Sequence, residues 1–185
     1  DILVCRTEHP INKKIKEKIA KFCNVETNAV IQSIDANSIY KVPMLMLQEG
    51  LDKIVLSKLN IKKSNDTNLN NWKRYLKKLD NPSKEVNIGI VGKYIELQDA
   101  YKSISEAIIH SGAENSCKVN ISWIDAETIT NKNVSQIFLN VAGVLVAPGF
   151  GDRGIEGKIN TIKYLREQNV PFFGICLGMQ SAVIE

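Results

Sequence analysis

The sequence predicts an α/β fold in which helices flank a parallel sheet. Three observations carry the prediction. Short apolar runs alternate with helix-length amphipathic stretches through residues 85–185. Glycine- and proline-rich turns follow those runs, as at Ala147-Pro148-Gly149 and Gly174-Ile175-Cys176. Strand–helix alternation of this length also suits right-handed parallel crossovers better than hairpins. A smaller strand, helix, strand, helix pattern precedes residue 60.

In the first part, Ile2-Leu3-Val4-Cys5 reads as a buried strand. Pro10 suits the first turn of a helix. Ile11, Ile15, Ile19 and Phe22 form its apolar stripe, with Lys14, Lys18 and Lys21 on an adjacent face. Val30-Ile31-Gln32-Ser33-Ile34 is a second strand. Pro43 opens a helical stretch that Gly50 interrupts and that resumes through Leu59. A linker follows over residues 60–84. Ser64-Asn65-Asp66-Thr67-Asn68 is polar and turn-rich. Leu69, Trp72, Leu76 and Leu79 give one amphipathic helix, which Asn81-Pro82-Ser83 ends.

In the second part, residues 86–91 form a strand. Asp99 is placed to cap a helix that stops at Gly112. Residues 118–124 alternate as a strand, 134–139 form a short helix, 141–146 a strand, 156–168 a helix, and 170–175 a last apolar strand. No internal repeat is evident.

Composition narrows the function classes. At 44% hydrophobic and 24% charged, the 185 residues are globular in composition. No apolar run approaches the roughly 18 residues of a membrane helix. The four cysteines lie far apart, with no CxxC pair and only two histidines, so neither a zinc site nor a disulfide framework is expected. Cys5, Cys23 and Cys117 read as small buried apolar residues, and a reducing, cytoplasmic compartment is implied. The chain carries no basic leader and opens inside an apolar run, so it reads as a piece of a longer protein. The net charge of +4 divides unevenly, +7 over residues 1–84 and −3 over 85–185. A basic half suits nucleotide phosphates. It lacks the aromatic-interleaved patch expected of a nucleic-acid binder.

The chemistry concentrates at Gly174-Ile175-Cys176-Leu177-Gly178-Met179-Gln180. A buried strand runs into Gly-x-Cys-x-Gly and then a helix, the nucleophile-elbow pattern with Cys in place of Ser. Small residues two before and two after the nucleophile relieve the tight turn. Cys176 would sit at a helix N-terminus, where the dipole favours thiolate. The Leu177 N–H is placed to donate to an oxyanion. The loop at Gly149 follows a parallel strand at the same edge of the sheet, where open α/β sheets bind ligands, and its N–H is the candidate second donor.

These segments resemble the CTP synthase family. Gly174–Gln180, the Gly149 loop, Asp152-Arg153-Gly154-Ile155-Glu156-Gly157, Gly89-Ile90-Val91-Gly92-Lys93-Tyr94-Ile95-Glu96-Leu97 and Asp99-Ala100-Tyr101-Lys102-Ser103 resemble its class I glutamine amidotransferase domain. Asp1–Arg6, the stretch from Lys18 to Val25, and Asp35-Ala36-Asn37-Ser38-Ile39-Tyr40-Lys41-Val42-Pro43 resemble the end of its synthase (amidoligase) domain.

The resemblance implies a flavodoxin-like glutaminase domain over 85–185. The C-terminal part of an α/β P-loop-type synthase domain would occupy 1–59, and a linker 60–84. It implies an ATP-dependent ligase that aminates UTP to CTP with ammonia released from glutamine. Carried over by position, Cys176 is the nucleophile, and Gly149 and Leu177 are the oxyanion donors. Leu177, Gly178, Met179 and Gln180 also contact glutamine. Arg6, Ile34, Asp35 and Ala36 match the ATP-adenine positions, Lys18 a UTP/CTP position, and Lys102 and Arg153 positions tied to activation by GTP. The cofactor is Mg2+ held with ATP through ligands before Asp1. The partners are small molecules, with CTP as product inhibitor, and the assembly is a homotetramer that also forms filaments.

Two departures stand out. The family reads Pro-Gly-Gly-Phe-Gly where this chain has Ala147-Pro148-Gly149-Phe150-Gly151, and Pro148 has no N–H. The family's catalytic His and Glu would lie after Glu185, and neither His9 nor His110 matches that His. Two other readings share the elbow. One is an unrelated class I amidotransferase or cysteine hydrolase. The other is a non-catalytic assembly module, which Pro148 and the unmatched His motivate.

Overall fold

A computed structural model describes residues 1–62 and 67–185. The chain divides into two compact units, Asp1–Leu76 and Lys77–Glu185. Residues 64–66 of the expected linker loop lie outside the described residues.

Unit 1 is built on two parallel strands, β1 (Leu3–Thr7) and β2 (Val30–Ile34), in register from Leu3 opposite Val30 to Thr7 opposite Ile34. Between them runs α1 (Lys13–Cys23). Its start differs from the expectation at Pro10: the Asn12 side chain accepts the Ile15 N–H and caps the helix. The apolar stripe also sits differently. Ala20 is the buried residue of α1, while Ile15 and Phe22 are 47% and 81% exposed. The reason is a polar hub on the inner side. Gln32 accepts the Ile11 N–H at 2.8 Å and donates to Glu49 Oε1 at 2.8 Å, and Lys16 Nζ reaches Glu49 Oε2 at 2.7 Å. Lys16 therefore faces inward, which rotates Phe22 away. Two helices follow, α2 (Val42–Gln48), with proline in its first turn, and α3 (Leu51–Lys58). Gly50 separates them at φ 74°, a conformation that favours glycine. The linker helix α4 (Asn70–Asp80) brings Trp72 and Tyr75 against Tyr40, and Trp72 Nε1 donates to the Tyr40 carbonyl at 2.8 Å.

Unit 2 holds the expected parallel sheet. Its strands are β3 (Lys84–Gly92), β4 (Cys117–Asp125), β5 (Gly143–Val146) and β6 (Phe172–Gly174), in the order β4-β3-β5-β6. This is the flavodoxin-like order, with the first strand inside and the second at an edge. On one face Val91, Val144 and Val146 pack with Phe138, Ile162 and Leu165. On the other, Ile90 and Ala147 pack with Tyr101, with Ile104 and Ile108 beside them. The helices are α5 (Lys102–Glu114), α6 (Val134–Ile137), α7 (Ile155–Glu167) and α8 (Leu177–Ile184).

Three local expectations are corrected. Asp99 lies in a 3-10 turn, Gln98–Tyr101, and α5 begins at Lys102 without a side-chain cap. Gly112 does not end α5, which continues to Glu114. A Cβ there would come within 2.6 Å of Val119 Cγ2 and 2.8 Å of the Cys117 carbonyl, so glycine is needed for helix–strand approach. Cys5, Cys23 and Cys117 are not buried: Cys23 is exposed at the end of α1 and the other two are half-buried. No helix among the described residues is long and apolar enough to cross a membrane.

Candidate active site at the carboxyl edge of the sheet

Register places the site. Val91 pairs with Val146, and Val146 with Gly174. The residues that follow β3, β5 and β6 therefore leave the sheet side by side. They are Lys93, the Ala147–Gly149 loop and Cys176. The order of connection reverses between β3 and β5, and ligand crevices form at such switch points.

Cys176 is the residue between β6 and α8. Its backbone has φ 51° and ψ −110°, a strained conformation for a non-glycine residue, and the side chain is exposed. The glycines around it explain how the turn is held. A Cβ on Gly174 would lie 2.6 Å from the Gly178 carbonyl carbon, and a Cβ on Gly178 would overlap the Val146 carbonyl. The Ile175 N–H donates to the Val146 carbonyl at 3.0 Å, tying the elbow to β5. Leu177, Gly178, Met179 and Gln180 form the first turn of α8. The Gly178 N–H donates to Ile175 and the Gln180 N–H to Cys176, each at 2.9 Å. A Cβ built on Gly149 would be 3.8 Å from Leu177 Cδ2, so Gly149 and Leu177 meet beside Cys176.

Beneath this loop lie two lysines that the sequence pattern did not single out. Lys158, on α7, is fully buried, and its Nζ donates to the Ala147 carbonyl at 2.7 Å. Lys93 is 8% exposed. A Cβ on Gly149 would be 3.1 Å from Lys93 Cε and 3.6 Å from Lys158 Nζ. Burial first, and then the neighbouring Lys93 charge, push the Lys158 ammonium down to about 8, with the Cys176 sulfur acting in the opposite sense. The signal in the sequence was available: Lys158 stands four and seven residues before Ile162 and Leu165, on the buried face of its helix. Tyr101, also unexpected, is buried, and its hydroxyl accepts the N–H groups of Lys93 at 3.2 Å and Tyr94 at 3.3 Å.

The remaining candidates lie elsewhere. Lys102, at the start of α5, is exposed and paired with Glu106 at 2.6 Å; that hydrogen bond raises its ammonium above the usual lysine range. Arg153 pairs with Glu127 at 3.0 Å. In unit 1, the carboxyl ends of β1 and β2 bring Arg6, Ile34, Asp35 and Ala36 together. Arg6 Nε donates to Asp35 Oδ1 at 2.7 Å, and the Asp35 N–H donates to the Thr7 carbonyl. Lys18 is exposed on α1. His110 lies eight residues along α5 from Lys102, about 12 Å of helix away from the carboxyl edge. His9 belongs to unit 1. No group of three His, Cys, Asp or Glu that could hold a metal occurs among the described residues.

The comparisons follow this division. The family model described as CTP synthase N-terminus matches residues 1–61, and that described as Glutamine amidotransferase class-I matches residues 96–185. The CTP synthase of Cytophaga hutchinsonii is 59% identical over all 185 residues, which cover 34% of that protein. Over its whole length this chain is similar to CTP synthases. The CTP synthase of Methanocaldococcus jannaschii is 52% identical over a 191-residue alignment that takes in the whole chain and 35% of the relative. The chain thus spans about a third of the length of the curated CTP synthases it matches. Among solved structures, the glutaminase domain of Trypanosoma brucei CTP synthase with bound acivicin aligns with a TM-score of 0.50 and 34% identity, covering 54% of this chain and 39% of that one.

Proposed function

We propose that Cys176 is the nucleophile of a glutaminase centre that feeds ammonia to the amination of UTP to CTP. The carrying observation is the elbow itself: an exposed Cys at φ 51° on a helix N-terminus, with Gly149 and Leu177 beside it. In this reading the Cys176 thiolate attacks the amide carbon of glutamine. The negative oxygen that forms is held by the Gly149 and Leu177 N–H groups. The amide nitrogen takes up a proton and leaves as ammonia, a thioester remains, and water hydrolyses it to glutamate and the free thiol. Gly178, Met179 and Gln180 line the glutamine side.

The proposal extends to the rest of the chain through its similarity to CTP synthases. Residues 1–59 form the end of the synthase domain, 60–84 the linker and 85–185 the glutaminase part. Arg6, Ile34, Asp35 and Ala36 contact the adenine of ATP, and their gathering at one strand edge supports this. Lys18 contacts UTP or CTP, and Lys102 and Arg153 respond to GTP. Mg2+ enters with ATP, on ligands outside these residues. A cytoplasmic homotetramer that also forms filaments completes the reading.

The test is labelling of the full chain with a glutamine-analogue electrophile, followed by peptide mass spectrometry. Labelling of Cys176 alone is expected, although Cys23 is also exposed. Labelling spread over Cys23, Cys5 or Cys117 would count against the assignment.

A further inference from the structure

A fully buried lysine with a single protein acceptor, placed under a catalytic loop, calls for an explanation, because burying an ammonium is costly unless its charge is used or compensated. Lys158 has that position: its Nζ donates to the Ala147 carbonyl, the one that enters Pro148 and Gly149. Among the described residues no carboxylate pairs with it. On the elements packed against α7, Glu127 is paired with Arg153, Glu185 with Arg166, and Asp125 accepts the Glu127 N–H. The titratable groups that act on Lys158 are a second buried lysine, Lys93, and Cys176.

We infer that Lys158, supported by Lys93, is a positioning residue of the Cys176 site: its ammonium clamps the Ala147 carbonyl and makes the floor under the thiolate and the oxyanion loop positive. This rests on the glutaminase reading above. Two effects follow from one group. The clamp fixes the peptide before Pro148, and so the direction in which the Gly149 N–H points. The charge favours the thiolate over the thiol and the negatively charged intermediate over neutral glutamine. Neither lysine needs to touch glutamine for this.

The experiment measures iodoacetamide alkylation of Cys176 against pH in the full-length protein that contains these residues, resolved from Cys23 by peptide mass spectrometry, alongside glutamine hydrolysis. Lys158→Met keeps the volume and removes the charge. The rising limb of Cys176 alkylation is expected to move about one pH unit more alkaline. kcat for glutamine hydrolysis should fall about tenfold or more, with KM changed less than about twofold. Lys93→Met should move the limb in the same direction, which keeps the inference testable if Lys158→Met fails to fold. Lys158→Arg, which retains the charge, should restore the position of the limb. A folded Lys158→Met protein whose alkylation limb and kcat match the unsubstituted chain would overturn the inference. Failure of the glutaminase reading looks different: the full-length protein that contains these residues would release no glutamate, while the iodoacetamide measurement still reports on the lysines.

Discussion

A Cβ on Gly178 would overlap the Val146 carbonyl, whereas one on Gly151 would meet nothing within 4 Å. The two glycines are therefore needed for different reasons. Gly178 lets α8 approach β5, and Gly151 adopts φ 72° in the loop. Gly178→Ala must push α8 away from the sheet and is expected to cost about 2–3 kcal/mol, with loss of glutamine hydrolysis. Gly151→Ala pays only the left-handed conformation, about 1 kcal/mol. Urea unfolding midpoints of the two variants check the contrast. Lys158 gives a second prediction at this scale. Its folded value of about 8 lies below the ordinary 10.5, so between those values the unfolded chain binds more protons than the folded one. Stability from this group therefore rises as pH goes from 8 toward 10.5. Unfolding free energy measured at pH 8 and pH 10 should show that rise in the unsubstituted chain and a smaller one in Lys158→Met.

Among the elements, α1 and α2 are joined by the Lys16–Glu49–Gln32 hub rather than by an apolar seam alone. Burial pushes the Glu49 carboxyl up, but hydrogen bonds from Lys16 and Gln32 outweigh it and hold the group below the usual carboxylate range. The folded state thus binds fewer protons than the unfolded one just below pH 4.5. The stabilisation is present above the unfolded value and is lost as pH falls through the folded one. Glu49→Ala is expected to cost about 1–3 kcal/mol at neutral pH and to remove this contribution to acid sensitivity, as read by acid titration of far-ultraviolet circular dichroism. The hub also shows where sequence pattern stops informing. Strand runs and the α7 face are legible because burial repeats at fixed periods. Gly174 and Gly178 are legible because the elbow demands them in a fixed local spacing. The inward turn of Lys16 depends on a carboxylate 33 residues away, and Lys158 meets the Ala147 carbonyl only because β5 and α7 pack together. Such pairings carry no local signature. Gly112 illustrates the same limit, since capping chemistry suggested a helix end where the glycine instead admits close approach to β4.

For the molecule as a whole, the glutaminase centre proposed at Cys176 needs a general base or acid at the sulfur, which typically contributes about 10²–10⁴-fold. Within unit 2 the one histidine, His110, stands eight residues into α5, about 12 Å of helix from the carboxyl edge. Residues 1–185 alone are therefore expected to release glutamate at least about 100-fold more slowly than full-length relatives; steady release abolished by Cys176→Ala would contradict this. The most direct measurement is CTP formation from UTP and ATP by the full-length protein that contains these residues and by its Cys176→Ala variant, with either glutamine or ammonium as the nitrogen source. Ammonia bypasses the step assigned to Cys176. The expected result is that Cys176→Ala makes no CTP from glutamine yet matches the unsubstituted protein with ammonium to within about twofold, as removal of a nucleophile used only for ammonia release requires. Glutamine-dependent CTP formation that persists in Cys176→Ala would contradict the placement of the glutaminase nucleophile at this elbow.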